Sequence, residues 1–389
     1  MSITSAGPGP DQPRQTLPDQ IRGLALLGII VVNAPFMAIS IDGFAETSTT
    51  TTLDRFAAFA TTLLAEGKFY ILFSFLFGYS ANFILKQGDP DSRRRWKRRL
   101  IGLAVIGLAH AIFLFIGDIL FAYAVIGFGL ILMFNRRDRT VLITGAVSAL
   151  LGIVWLGVLV LLAAAFPEEV ASDPTLDSLD LALASGSFLE AAEARLDALP
   201  LLLMTLGSLQ WPLTFASFCV GLVAGRHRFL AEPGSRRRTW RRMACWGLAI
   251  GLPLQLAGTW LVYSEGVALG TGFENMAGLA IILATAPLLS AGYVGVLALI
   301  NLNFPRVLAK IQDSGRASLS IYIGESFVLS LLFCGWGFGL FGELGAAAVT
   351  GVAILTWIIL AMSMHLWLGH FKQGPLEAVM ARWTGRRRV

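Results

Sequence analysis

Charge is scarce in this sequence: 14% of its 389 residues are Asp, Glu, Lys or Arg, 56% are hydrophobic, and the mean hydropathy is +0.70. So little polar surface cannot wrap a water-soluble core, which excludes a globular protein of the aqueous phase and makes a bilayer the solvent. Strand-like alternation is missing as well. The apolar residues come in runs of roughly 18 to 28, which cross a ~30 Å hydrocarbon layer only as helices, so an outer-membrane barrel is excluded. Cysteine is sparse: Cys219, Cys245 and Cys334 sit apart in apolar stretches, with no CxxC and no nearby histidine, and read as packing residues rather than metal ligands. Walker loops, dinucleotide fingerprints, zinc motifs and nucleophile elbows are absent. The net charge of +5 lies between the apolar runs rather than on a soluble domain, so nucleic acid is not a partner.

What remains is an all-α, polytopic integral membrane helical bundle with about ten transmembrane helices, expected near 21–40, 68–86, 99–116, 118–135, 140–166, 200–225, 243–263, 275–300, 317–341 and 345–369. Apart from Arg55, Lys68 and Arg195, the lysines and arginines, 27 of 30, fall in, or at the mouth of, segments that share one side under this layout. That asymmetry puts both termini in the cytoplasm of a bacterium, with the chain in the cytoplasmic (inner) membrane. The domain reading is a disordered cytoplasmic tail over 1–20, a single transmembrane helical domain over 21–369, and a basic cytoplasmic tail over 370–389. The domain carries an acidic outer segment over 167–199, expected as a surface helix or lid, and an interfacial helix over 53–66. The unbroken apolar stretch 100–135 has to go out and come back, reversing at Gly117-Asp118 with Asp118 at the outer interface.

Ionisable and amide side chains at membrane depth are costly and mark functional candidates. Asn33 lies mid-span, fit either for interhelical packing or for donating a hydrogen bond to a reacting carbonyl. His110, ~15 Å into the third span, is the histidine placed to move a proton near neutral pH; a bonded core histidine is its structural alternative. Tyr70, Ser74, Gly78 and Asn82 recur every four residues as a polar, small-residue stripe facing other helices. Glu66 and Lys68 open the same span, with a Lys68–Asp118 ion pair expected. Ser318, Tyr322, Glu325 and Ser326 line the ninth span after Arg316, and Glu325 needs a partner or a wet cavity.

Several motifs then occur in order: Asp19-x-x-Arg22-Gly23 followed by Asn33; EGKFYILFSFLFG at 66–78; the RRL…GLAH…GDILFAYA block at 98–124; GRASLS from 315; and Gly374-Pro375-Leu376-Glu377. Together they resemble the YeiB-type family of bacterial membrane proteins, across nearly the whole chain. That family is in turn distantly similar to the transmembrane acyltransferases. The resemblance implies a membrane acyltransferase moving an acyl group from acyl-CoA, such as acetyl-CoA, to a hydroxyl or amine on a small-molecule or glycan acceptor, with no metal. In this reading His110 is the base and Asn33 an oxyanion donor, Arg22 and Arg316 hold the donor's phosphates, and Glu66, Lys68, Tyr70, Asp118, Tyr322 and Glu325 line the substrate side. The histidine that those enzymes carry near the end of the first span is absent, which is why the base falls to His110. The competing readings are a small-solute transporter or permease that couples through the same buried charges, and a non-catalytic membrane partner protein. Besides the lipid bilayer, a homo-oligomer is left open as a partner.

Overall fold

A computed structural model describes residues 15–44, 48–166, 174–264 and 272–385. Among them there is no strand. The helices, in order, are α1 (Thr16–Ala38), α2 (Thr52–Leu64), α3 (Lys68–Ile84), α4 (Pro90–Phe113), α5 (Ile119–Met133), α6 (Asp138–Ala165), α7 (Pro174–Ser185), α8 (Phe188–Arg226), α9 (Arg237–Val262), α10 (Phe273–Asn303), α11 (Pro305–Arg316), α12 (Ser318–Phe333), α13 (Ala346–His370) and α14 (Pro375–Trp383). Each expected span coincides with one of them. Seven helical stretches are long and apolar enough to cross a membrane, one of them α2 and α3 taken together over Thr52–Ile84, and the pair α11–α12, bent by 79°, makes an eighth if taken as one broken span. The other two expected spans, α4 and α5, fall short on their own. The first half of α4 is the basic run Arg93–Arg99, and α5 has 15 residues, about 22 Å of rise.

Several boundaries differ from expectation for identifiable reasons. Helix α1 begins at Thr16, inside the stretch expected as tail, because Pro18 is tolerated in a first turn and Asp19 is held by Arg22 at 3.0 Å. Of that tail, 1–14 lie outside the described residues, as do 167–173 of the acidic segment and the last four residues of the basic tail. The acidic segment folds as α7 plus the first turns of α8, which is 39 residues long, about 58 Å, and overruns the ~30 Å apolar layer. Asp180 of α7 clips the end of α1, accepting from Ser40 Oγ at 2.7 Å and Ile41 N at 2.8 Å, and burial pushes its carboxyl up from the ordinary aspartate range. The ninth span is shorter than expected: α12 stops at Phe333, and the glycine-rich 334–345 turns back over the bundle, with Gly339 and Gly342 at positive φ.

Helices α3 and α8 meet backbone to backbone. A Cβ on Gly78 would lie 2.1 Å from Phe218 O, and one on Gly221 would lie 2.0 Å from Phe75 O. In lipid, where apolar burial gives no preference for helix contact, such close approach is what dispersion between helices requires. The four-residue stripe on α3 serves this contact: Gly78 touches α8, Asn82 Nδ2 donates to Leu222 O at 3.1 Å, and Ser74 Oγ bonds Tyr123 OH of α5 at 2.9 Å.

The basic tail is ordered in its middle and docks. Glu377, in the first turn of α14, accepts from Leu319 N at 2.7 Å, from Ser320 N at 3.3 Å and from Ser320 Oγ at 2.5 Å, supplying the carboxylate that the first turn of α12 lacks in its own sequence. Trp383 Nε1 donates to Arg98 O of α4 at 2.7 Å, so α14 staples α4 to α12. Glu377→Ala is expected to cost about 1 kcal/mol, the usual worth of a helix cap. Glu377→Gln retains part of it, and thermal unfolding of the two variants side by side checks the order.

Candidate functional site

The reversal between α4 and α5 does not reach the bundle surface. Ala111 and Ile116 pack with Leu179 and Leu183 of α7, Ala191 of α8 and Cys334, while Gly335 N donates to Leu183 O at 2.8 Å. The hairpin tip therefore has a protein roof. Asp118, expected at the outer interface, is instead buried beneath it, with a side chain 2% exposed. Nor does it pair with Lys68.

Asp118 caps α5 by accepting from Phe121 N at 2.7 Å through Oδ2, and its Oδ1 lies 2.8 Å from His110 Nδ1, three residues from the end of α4. Tyr322 of α12 completes the group. Its hydroxyl accepts from Ile119 N at 3.3 Å and donates to Asp118 Oδ1 at 3.5 Å, and its ring stands 5.0 Å from the imidazole. An aspartate that already accepts a backbone N–H and a phenol is an acceptor, so Nδ1 donates to it, and in the neutral imidazole of that tautomer Nε2 presents the lone pair. Nε2 is buried with no partner among the described residues. Buried polar atoms are nearly always paired, so this one calls for an explanation.

Glu325 lies on the neighbouring side of α12. At about 100° per residue it stands roughly 60° round from Tyr322, toward the side where Gly324 meets Leu360 of α13. Ser330 lies in the opposite sense and bonds Leu114 O of α4 at 2.8 Å. Glu325 thus lies on the α13 side of α12, is 2% exposed, and leaves Oε1 unpartnered among the described residues. Asn33 belongs to the junction of α1, α12 and α13, because it shares the α1 face of Leu26 and Ile29, which pack with Tyr322 and Trp357. Asn33 is half-buried, and Trp357 Nε1 is a buried donor with no partner among the described residues. His110, Asn33 and Glu325 therefore occupy two adjacent compartments separated by the Tyr322 ring, rather than one chamber.

Glu66 and Lys68 form a separate group at the α2–α3 junction, where Gly67 takes φ +79°. Lys68 is wholly buried and its Nζ donates to Thr62 O at 2.9 Å, capping α2, which explains why it is not available to Asp118. Glu66 lines a small cavity with Thr62, Tyr263, Pro35 and Phe36, on another face of α1 from Asn33. Tyr70 packs with Ile71, Leu156, Leu213 and Leu283 away from the dyad, its hydroxyl buried and unpartnered. At the basic end, Arg22 is engaged by Asp19 at 3.0 Å, Ser80 at 3.1 Å and Gly315 O at 3.5 Å. Arg316 is held by Asp313 at 2.8 Å, with Nε buried and unpartnered. Cys245 is exposed rather than packed, unlike Cys219 and Cys334. Among the described residues no three His, Cys, Asp or Glu side chains stand close enough to hold a metal ion.

Three contributors lie outside the residues singled out by sequence. Trp357 is one aromatic in an apolar helix and gives no signal. Arg195, buried against Cys334 Sγ at 3.4 Å and Phe113 O at 3.4 Å, looks from sequence like a stray outer charge. Glu377 sits in a motif whose use as a cap depends on α12 arriving beside it.

Residues 224–387 match the family described as "Protein of unknown function (DUF418)". The chain is 28% identical over 382 residues to the uncharacterised protein YxaH of Bacillus subtilis (strain 168), covering 92% of this chain and 91% of that one. It is 27% identical to the uncharacterised protein YeiB of Escherichia coli (strain K12), covering 95% of each. No solved structure matches the chain.

Proposed function

Starting from a multi-pass membrane protein of the YeiB type, with bacterial relatives along nearly its full length, we propose that the chain is an acyl-CoA-dependent membrane acyltransferase whose base is the His110–Asp118 pair. The observation that carries this is the orientation of the imidazole: a buried carboxylate fixes Nδ1–H, and Nε2 is left free. That is the arrangement a general base needs, since the fixed tautomer aims the lone pair and the carboxylate stabilises the imidazolium that forms. In the reaction, Nε2 removes the proton of the acceptor hydroxyl or amine while that atom attacks the thioester carbonyl. The tetrahedral adduct collapses with cleavage of the carbon–sulfur bond, and the imidazolium returns the proton to the CoA thiolate.

Donor binding falls to the basic end, with the chain in the cytoplasmic membrane and that end facing the cytoplasm. There Arg316 keeps one uncommitted N–H, whereas Arg22 is taken up by Asp19, Ser80 and Gly315. Tyr322 belongs to the base group, Asn33 and Glu325 lie beyond its ring, and Glu66 and Lys68 form a separate group. Purified protein in nanodiscs is expected to bind acetyl-CoA saturably, measured by equilibrium dialysis, and to release free thiol when an acceptor is present. A folded protein that does neither overturns the proposal.

One observation favours a transporter instead. The span α11–α12 is broken by 79° at Ala317, eight residues before a buried Glu325 with Oε1 unpartnered among the described residues, and discontinuous helices can carry coupling sites. Proton-coupled solute flux into liposomes without acyl-CoA would choose that reading.

A further inference from the structure

The cavity beside Glu66 has no part in the base pair. Glu66, Thr62 and Tyr263 line it together, and their polar atoms form a row. Thr62 Oγ1 and Tyr263 OH stand 3.1 Å apart, Thr62 faces the Glu66 carboxylate, and Tyr263 lies within reach of its charge. An ionised carboxylate only accepts, so the order that uses every proton runs from Tyr263 O–H to Thr62 Oγ1 and from Thr62 O–H to Glu66. Both hydroxyl protons are then spent inside the wall. What remains for an occupant is acceptors alone, the other lone pairs of the carboxylate and of the phenol. Lys68 does not cover them: its Nζ is turned to Thr62 O at 2.9 Å, and no Lys, Arg or His stands within ion-pair distance of Glu66 among the described residues. The two charges interact at longer range, which keeps any guest weakly held and exchangeable.

The other walls are apolar, among them Val32, Phe36 and Phe44, and the space left is about 10 Å³, room for one water-sized group. Glu66, Phe36 and Tyr263 are partly exposed, so the cavity can be entered. We infer that it binds the primary ammonium group of an amine, with the Glu66 carboxylate accepting its N–H bonds and the apolar walls taking the first carbons of its stem. An ammonium brings donors only to a site that offers acceptors only, and it is the size of a water. A hydroxyl brings no charge and a lone pair with no donor to meet it, a phosphate or carboxylate would face Glu66, and a trimethylammonium is too large. The rings of Phe36, Phe44 and Tyr263 favour a cation further. The cavity lies at the end of α3 away from the basic run Arg93–Arg99. Both the headgroup of an ethanolamine phospholipid and a free amine carry the group it would take. The site stands apart from His110, and the inference does not depend on acyl transfer.

The test uses full-length protein in phosphatidylcholine nanodiscs, which hold no primary amine, and ligand-observed saturation-transfer NMR of ethylammonium, with empty nanodiscs subtracted. The expected result is a saturable signal that equal concentrations of ethanol or tetramethylammonium leave unchanged. Glu66→Gln weakens binding by about tenfold or more, the worth of a hydrogen bond to a charged acceptor. Val32→Phe, which keeps the carboxylate and fills the space, abolishes it, and monodispersity on gel filtration identifies the folded variants. Absence of a saturable signal, as when water alone fills the cavity, equal competition by ethanol, or wild-type affinity in either folded variant overturns the inference. Nanodiscs with phosphatidylethanolamine replacing half of the phosphatidylcholine separate the two sources. Loss of the ethylammonium signal there assigns the site to the lipid headgroup, and an unchanged signal assigns it to a free amine.

Discussion

His110→Ala lowers thiol release from acetyl-CoA by about 10²- to 10⁴-fold, the contribution of a positioned general base, with acetyl-CoA binding retained. Asp118→Asn falls in the same range for a different reason. An asparagine amide can donate to Nδ1, which turns the imidazole into the other tautomer and removes the lone pair from Nε2. Tyr322→Phe, which removes one 3.5 Å contact to Asp118 and one 3.3 Å contact from Ile119 N, has a smaller effect. The order His110 ≈ Asp118 > Tyr322 in initial rates is the readout, and His110→Ala turning over as fast as wild type removes the base from the scheme.

The largest effect on stability is expected at the α3–α8 crossing. Gly221→Val places a Cβ 2.0 Å from Phe75 O and 2.8 Å from Tyr79 N, and both are helix backbone atoms that cannot rotate away. The helices must separate by more than an ångström along a contact that also includes Gly78 and Gly225, so the cost exceeds the ~1–3 kcal/mol of ordinary overpacking. The expectation is loss of the monodisperse species on gel filtration. Gly157→Ala in α6 is the control: a Cβ there meets nothing within 4 Å, and replacing a helical glycine with alanine gains about 1 kcal/mol. If both variants behave alike, close helix approach is not what holds the bundle.

The ten apolar runs readable from hydropathy each coincide with a helix, and seven or eight of these are long and apolar enough to cross a membrane, α4 and α5 falling short on their own. Where the chain stops being helical was harder to read. Segment 334–341 is as apolar as a span, and only contacts with Leu183 and Ala38 turn it into a cover. The site was half legible. His110, Asp118, Tyr322 and Glu325 stand out because ionisable groups are rare in such a sequence, and the structure places them around α12. Their pairing was misread: depth along the chain set Asp118 beside Lys68, whereas the hairpin folds it back onto His110, eight positions earlier. Lys68 is equally instructive. Its ammonium goes to the end of its own neighbouring helix, a local use that hydropathy cannot distinguish from a distant ion pair. Asn33 and Glu325 share a junction that depends on the register of parallel helices nearly 300 residues apart, for which a single sequence carries no signal.

The closeness of His110 and Asp118 along the chain bears on how the protein is made. Their bond closes within one short reversal, so it needs no residue synthesised later, whereas Tyr322 follows some 200 residues on. The most polar point of the hairpin can thus match its imidazole N–H and carboxylate within itself, and α5 is capped by the same carboxylate. Insertion of this segment need not wait for the rest of the bundle; what arrives later adds the roof and the phenol to a pair that has assembled itself.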